Sequence, residues 1–178
     1  MLTGEVGSGK TVALKGVVAS LDPARFTVTY QPNPEVGIRG LYNRIVTSLG
    51  DTLKFHLAAL AALAAQASAA LAAEVDERGR TPAVVIDGSH LRDHGELDCI
   101  RMLTNYGMDS TTPFAVVLIG QPTLCKRMKH GVLAALDQRI AISYNIAWQS
   151  LIAAFTHDKA IVDESSTRLA ITEIHATE

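Results

Sequence analysis

Two patterns of apolar and polar positions alternate along the chain. Short continuous runs of β-branched or aliphatic residues are separated by longer stretches in which apolar residues recur every three to four positions. "RFTVTYQ", Arg25 to Gln31, is rich in β-branched and aromatic residues and predicts a strand that "PNP" stops. "AVVIDG", between Pro82 and Gly88, and "FAVVLIG", Phe114 to Gly120, predict strands buried on both faces. "MLT" is an apolar stub, and "AISYNI" a short last strand. Helices are predicted from Gly9 to about Ser20, with Val12, Leu14, Val17 and Val18 available for burial, and from Ile38 to Ser48, ending near Gly50. Asp93 and Glu96 have capping-box spacing for a helix running to about Thr104. Pro122 suits the first turn of another helix, "VLAALDQRI" predicts one more, and the tail from Trp148 reads as helical in two pieces. Strands alternating with helices give an α/β fold on a parallel sheet.

The run "LAALAALAAQASAALAA", Leu57 to Ala73, is long and uncharged, so a membrane span has to be weighed. Alanine is weakly apolar but the best helix former, and Gln66 and Ser68 interrupt the run. Leu53, Leu57, Leu60, Leu71 and Val75 fall roughly on one stripe, which favours a helix packed along one face, with no membrane insertion.

Composition narrows the class without choosing a function. The 178 residues suit one domain, and 48% hydrophobic with 19% charged residues is ordinary for a globular chain. A net charge of −2 argues against a bulk polyanion binder. Two cysteines, Cys99 and Cys125, without a CxxC or His/Cys cluster, argue against a disulfide scaffold or zinc site and fit a reducing cytoplasm.

The chemistry concentrates in "GEVGSGKT", Gly4 to Thr11, a full match to G-x-x-x-x-G-K-[ST]. Gly4, Gly7 and Gly9 let the backbone turn tightly and approach phosphate oxygens, and the N–H groups of Glu5, Val6 and Ser8 turn with them. Lys10 is placed for the β- and γ-phosphates of ATP and Thr11 for Mg²⁺. Asp87, at the end of a buried strand, is the candidate acid that orients Mg²⁺ through its water shell; capping the next turn is its plainer alternative. Gln121 either sits beside the γ-phosphate or merely opens a loop before Pro122, and the residues leave both open. Arg139, near a helix end, is a candidate finger for a neighbour's γ-phosphate, although the helix dipole also favours an arginine there. His90 offers a base near neutral pH, with packing as the plainer role. "CKRMKH", Cys125 to His130, reads as a solvated basic face.

Taken in order, "LTGEVGSGKT", "YQPNP", "VVIDGSHL", "IRMLTNYGMDS", "FAVVLIGQPTL" and "LAALDQRI" resemble the ExeA-like and TniB/IstB-like group of AAA+ ATPases over residues 1 to 146. That group includes transposition helpers and secretion ATPases. The resemblance implies a P-loop NTPase fold, a three-layer α/β/α sandwich with sheet order 5-1-4-3-2. It also implies ATP with Mg²⁺ and self-association in which Arg139 completes a neighbour's site.

Three departures qualify the resemblance. Little of the first strand precedes the glycine loop. The residue after Asp87, usually a glutamate that polarises the attacking water, is Gly88. Residues 147 to 178 resemble the family's extreme C-terminus, joined after loss of a helical lid. A water-positioning group contributes ~10²–10⁴-fold, so its loss should spare binding and slow turnover. The expectation is an ATP-binding AAA+ protein of a mobile element, cytoplasmic, acting with a transposase or DNA. The alternatives are a non-enzymatic module that pairs with full-length relatives and a degraded ATPase fragment.

Overall fold

A computed structural model of the chain describes residues 1–32, 36–52, 60–104 and 114–146. The elements run β1 (Leu2–Thr3), α1 (Lys10–Ser20), β2 (Phe26–Gln31), α2 (Gly37–Ser48), α3 (Leu60–Asp76), β3 (Thr81–Ile86), α4 (His94–Leu103), β4 (Ala115–Gly120), α5 (Thr123–Met128), α6 (Ala134–Asp137) and β5 (Tyr144–Asn145). Short 3₁₀ turns occupy Ser89–Leu91 and Gly131–Leu133. The five strands form one sheet in the order β2-β3-β4-β1-β5, the expected order read from the other edge. Every pairing is parallel.

This order fixes the layers. The connection from β1 to β2 runs one way across the sheet, and every later connection runs the other way. Right-handed crossovers therefore place α1 on one face and α2 to α6 on the opposite face. Packing agrees: the main core joins Leu41 and Ile45 of α2, Leu63 and Leu71 of α3, Ile86 of β3, Ile100 of α4, Leu118 of β4 and Leu124 of α5. Each such aliphatic side chain contributes ~1.5–3 kcal/mol by leaving water.

On the other face α1 buries Ala13, while Val12 and Val17 stay 43% and 48% exposed. This corrects the burial expected for those two valines; Leu14 and Val18 are half-buried. Burial along β3 and β4 grows toward their C-terminal ends, so the strands are enclosed on both faces only where they approach the loops that follow.

The alanine-rich helix is α3; of the predicted stripe, Leu71 is buried and Leu60 and Val75 are half-buried, Leu63 and Ala67 join it in the core, and Leu53 and Leu57 lie outside the described residues. Two buried polar side chains accompany that line. Glu74 accepts from Thr27 Oγ1 of β2 at 2.8 Å and pairs with Arg78, whose guanidinium also donates to the Leu49 carbonyl at the end of α2. Gln66 donates to the Thr52 carbonyl at 2.8 Å. Among the described residues, no helix is long and apolar enough to cross a membrane.

The capping box at α4 is present in full: Asp93 Oδ1 accepts from the Glu96 amide, and Glu96 Oε2 from the Asp93 amide. The "VLAALDQRI" helix is shorter than expected, a 3₁₀ turn followed by the four residues of α6. The helical tail predicted beyond residue 146 lies outside the described residues.

Candidate functional site

The C-terminal ends of parallel strands gather the chemistry, because each strand there hands over to a loop. β1 delivers Gly4, whose amide donates to the Gly120 carbonyl at 3.2 Å and so ties the glycine loop to the end of β4. Gly7 and Gly9 have φ of 80° and 82°, left-handed values that residues with a side chain adopt only at a cost. Ser8 N–H donates to the Glu5 carbonyl, and the Gly9 carbonyl accepts the first helical bond of α1, from Ala13. Glu5, Val6, Gly7 and Thr11 are exposed at the mouth of this turn, while Gly4 and Ser8 form its buried floor.

The Lys10 ammonium folds back over the loop. It donates to the Gly4 carbonyl at 2.8 Å, the Glu5 carbonyl at 2.6 Å and Ser8 Oγ at 3.4 Å. Burial pushes its pKa below the ordinary lysine value, and the carboxylates of Asp87 and Glu5 oppose that shift.

Asp87 leaves β3 with both carboxylate oxygens engaged. Oδ1 accepts from the Gly88 amide at 2.7 Å and Oδ2 from the Tyr30 hydroxyl at 2.9 Å. The next residue, Gly88, has φ 67° and ψ 21°, a left-handed conformation that starts the Ser89–Leu91 turn. Ser89 Oγ donates back to the Ile86 carbonyl at 2.8 Å. Arg127 of α5 holds the far side of this turn, donating to the His90 and Arg92 carbonyls at 2.5 Å each. "CKRMKH" is therefore only partly a solvated face: Lys126 and Lys129 are exposed, whereas Arg127 is a clamp.

His90 stands against the end of β4; a Cβ on Gly120 would lie 3.3 Å from the His90 Cβ. Burial lowers the His90 pKa, Lys10 and Arg127 lower it further, and Asp87 opposes them. His90 Nδ1 is buried with no hydrogen-bond partner.

Gln121 directly follows Gly120 and is half-buried beside the loop, and its carbonyl also accepts from the Leu124 amide, so it opens α5 as well. Arg139 is not brought to Lys10 and Asp87. It lies just past α6, exposed, with Nη1 donating to Thr104 Oγ1 at 3.0 Å and to the Thr104 carbonyl at 3.3 Å. Thr104 closes the end of α4 remote from Asp93.

Sequence reasoning missed Tyr30 and Arg127. The Tyr30 contact depends on strand register, and the Arg127 contact on which way α5 faces. Among the described residues, no group of three His, Cys, Asp or Glu could hold a metal. A cation here would rely on Thr11, Asp87 and ligand phosphates. Hard oxygen donors, few in number, match the way Mg²⁺ is held with nucleotides.

Comparison with known proteins identifies relatives of the chain and of its fold. The profile of the AAA domain family matches residues 1–128. General secretion pathway protein A of Aeromonas hydrophila is 32% identical over 149 residues, 82% of this chain and 26% of that protein. Among solved structures, the Aeropyrum pernix ORC2 protein in its ADP form superposes with a TM-score of 0.64 at 11% identity, covering 97% of this chain and 62% of that one. Cdc6p of Pyrobaculum aerophilum gives 0.60 at 16% identity, over 82% and 38%. The chain thus spans about a quarter of the secretion protein's length. At such low identities the two structures establish the fold alone.

Proposed function

We propose that this chain, which belongs to the AAA domain family, binds ATP with Mg²⁺ at Gly4–Thr11 and hydrolyses it slowly. The observation that carries the reading is a complete phosphate-loop sequence folded at a strand–helix junction, with the Lys10 ammonium turned back over the loop. The turn formed by Gly4, Glu5, Val6, Gly7, Ser8 and Gly9 surrounds the phosphates with backbone N–H groups. Lys10 exchanges its loop carbonyls for β- and γ-phosphate oxygens. Thr11 and Asp87 would hold Mg²⁺, which would supply charge neutralisation on the phosphates. Gln121 contacts the γ-phosphate from the end of β4. Arg139, directed away from its own loop, serves a neighbouring copy in a homo-oligomer.

Turnover is slow because Gly88 carries no group to polarise water. The resemblance to TniB/IstB-like proteins supports a mobile-element helper in the cytoplasm, partnered by a transposase or DNA. A second reading, a secretion ATPase, rests on the 32% identity to the Aeromonas hydrophila protein.

Titration of a fluorescent ATP analogue with Mg²⁺ into the purified chain tests the core of the proposal. Saturable binding that Lys10→Ala abolishes is expected. Equal binding by the wild type and Lys10→Ala would sink it.

A further inference from the structure

We infer that Tyr30 is a positioning residue for the metal-orienting carboxylate, acting through Asp87, and that it sets Mg²⁺ affinity rather than nucleotide affinity. The inference rests on the ATP-binding reading above and adds to it a residue on a neighbouring strand.

Register brings the two side chains together. β2 and β3 are parallel, with Tyr30 opposite Val85 and Gln31 opposite Ile86. The Gln31 carbonyl accepts from the Asp87 amide, so the pairing continues one residue beyond the strand. Val85 and Asp87 are two residues apart and share a face of the sheet, and Tyr30 lies on that face beside them. Two residues span about 6.6 Å along a strand, a gap that a tyrosine bridges and a serine or threonine does not. Phe26 and Val28, the preceding residues on this face of β2, are apolar. The hydroxyl is what distinguishes Tyr30, and it donates to Asp87 Oδ2 at 2.9 Å.

The Gly88 amide holds the other oxygen at 2.7 Å. With one hydrogen bond on each oxygen, rotation of the carboxylate is fixed, and its remaining lone pairs are left for a metal's water shell. Partners that orient metal ligands typically change metal affinity 10–100-fold when removed.

The test uses the full chain as wild type, Tyr30→Phe, Asp87→Asn and the double variant. Fluorescent ATP analogue is bound first in EDTA, then Mg²⁺ is titrated into the complex. Tyr30→Phe is expected to keep metal-free nucleotide affinity within twofold and to weaken Mg²⁺ about 10–100-fold. In the Asp87→Asn background the same change should have no further effect, because the two groups act as one unit. Unchanged Mg²⁺ affinity in Tyr30→Phe, or an equal loss in the Asp87→Asn background, overturns the inference while leaving nucleotide binding intact. Binding that ignores Lys10→Ala overturns the parent reading and this one together.

Discussion

Replacing Gly88 by glutamate restores, on paper, the acid that related ATPases carry after the strand aspartate. The structure predicts that the repair fails. Gly88 has φ 67°, and a left-handed backbone costs a residue with a Cβ ~1–2 kcal/mol. Restricting the unfolded chain returns ~0.4–1 kcal/mol. The net penalty is roughly 1 kcal/mol, which in a chain of this size lowers Tm by about 2–4 °C. A side chain leaving a left-handed backbone also points differently from one on extended chain, so a glutamate here is expected to fall short of a water-polarising position.

ATPase activity should accordingly rise less than about tenfold, against the ~10²–10⁴-fold that a well-placed base supplies. Gly88→Ala should show the same Tm loss with no carboxylate, and Gly88→Asn a smaller loss, because asparagine tolerates this conformation. Differential scanning fluorimetry and a phosphate-release assay provide both readouts. An unchanged Tm in the alanine and glutamate variants, or a hundredfold gain in turnover by glutamate, would refute the reasoning.

Two further perturbations probe the same turn. Arg127→Met removes two charge-assisted hydrogen bonds to the His90 and Arg92 carbonyls and should destabilise the fold by roughly 2–4 kcal/mol in urea unfolding; a loss below about 0.5 kcal/mol, the surface norm, would show that the clamp is idle. For His90, burial and the cations Lys10 and Arg127 lower the folded pKa, against Asp87. Its contribution to stability is thus present above the ordinary histidine value of about 6.5 and lost as pH falls through the lower folded value. Tm measured from pH 7.5 to 5.5 should fall more steeply for wild type than for His90→Gln, and parallel curves would contradict that placement.

What the sequence disclosed was local. "GEVGSGKT" is contiguous, so the loop, its helix and Lys10 could be read directly. The apolar runs of β3 and β4, and the Asp93/Glu96 pair, need only neighbours within a few residues. The hydrogen bond between Tyr30 and Asp87 spans 57 positions and appears only once register is known. Val12 and Val17 look like core by type, yet their exposure is decided by α1 standing apart from the other helices. The glycine at 88 was legible as a missing acid, but not as a left-handed turn, since composition does not report φ.

The alanine-rich α3 has few large side chains on its packed flank to fix its seating. A shift of one helical turn would set Ala67 where Leu63 sits and Leu71 where Ala67 sits, so the size pattern of the buried line already resists it. Buried Glu74 forbids it, because any shift strands its carboxylate away from Thr27 and Arg78 in an apolar layer. Gln66, tied to the Thr52 carbonyl, marks the same setting two turns earlier. These two polar side chains act as index pins: together with Leu63 and Leu71 they select one seating for the helix.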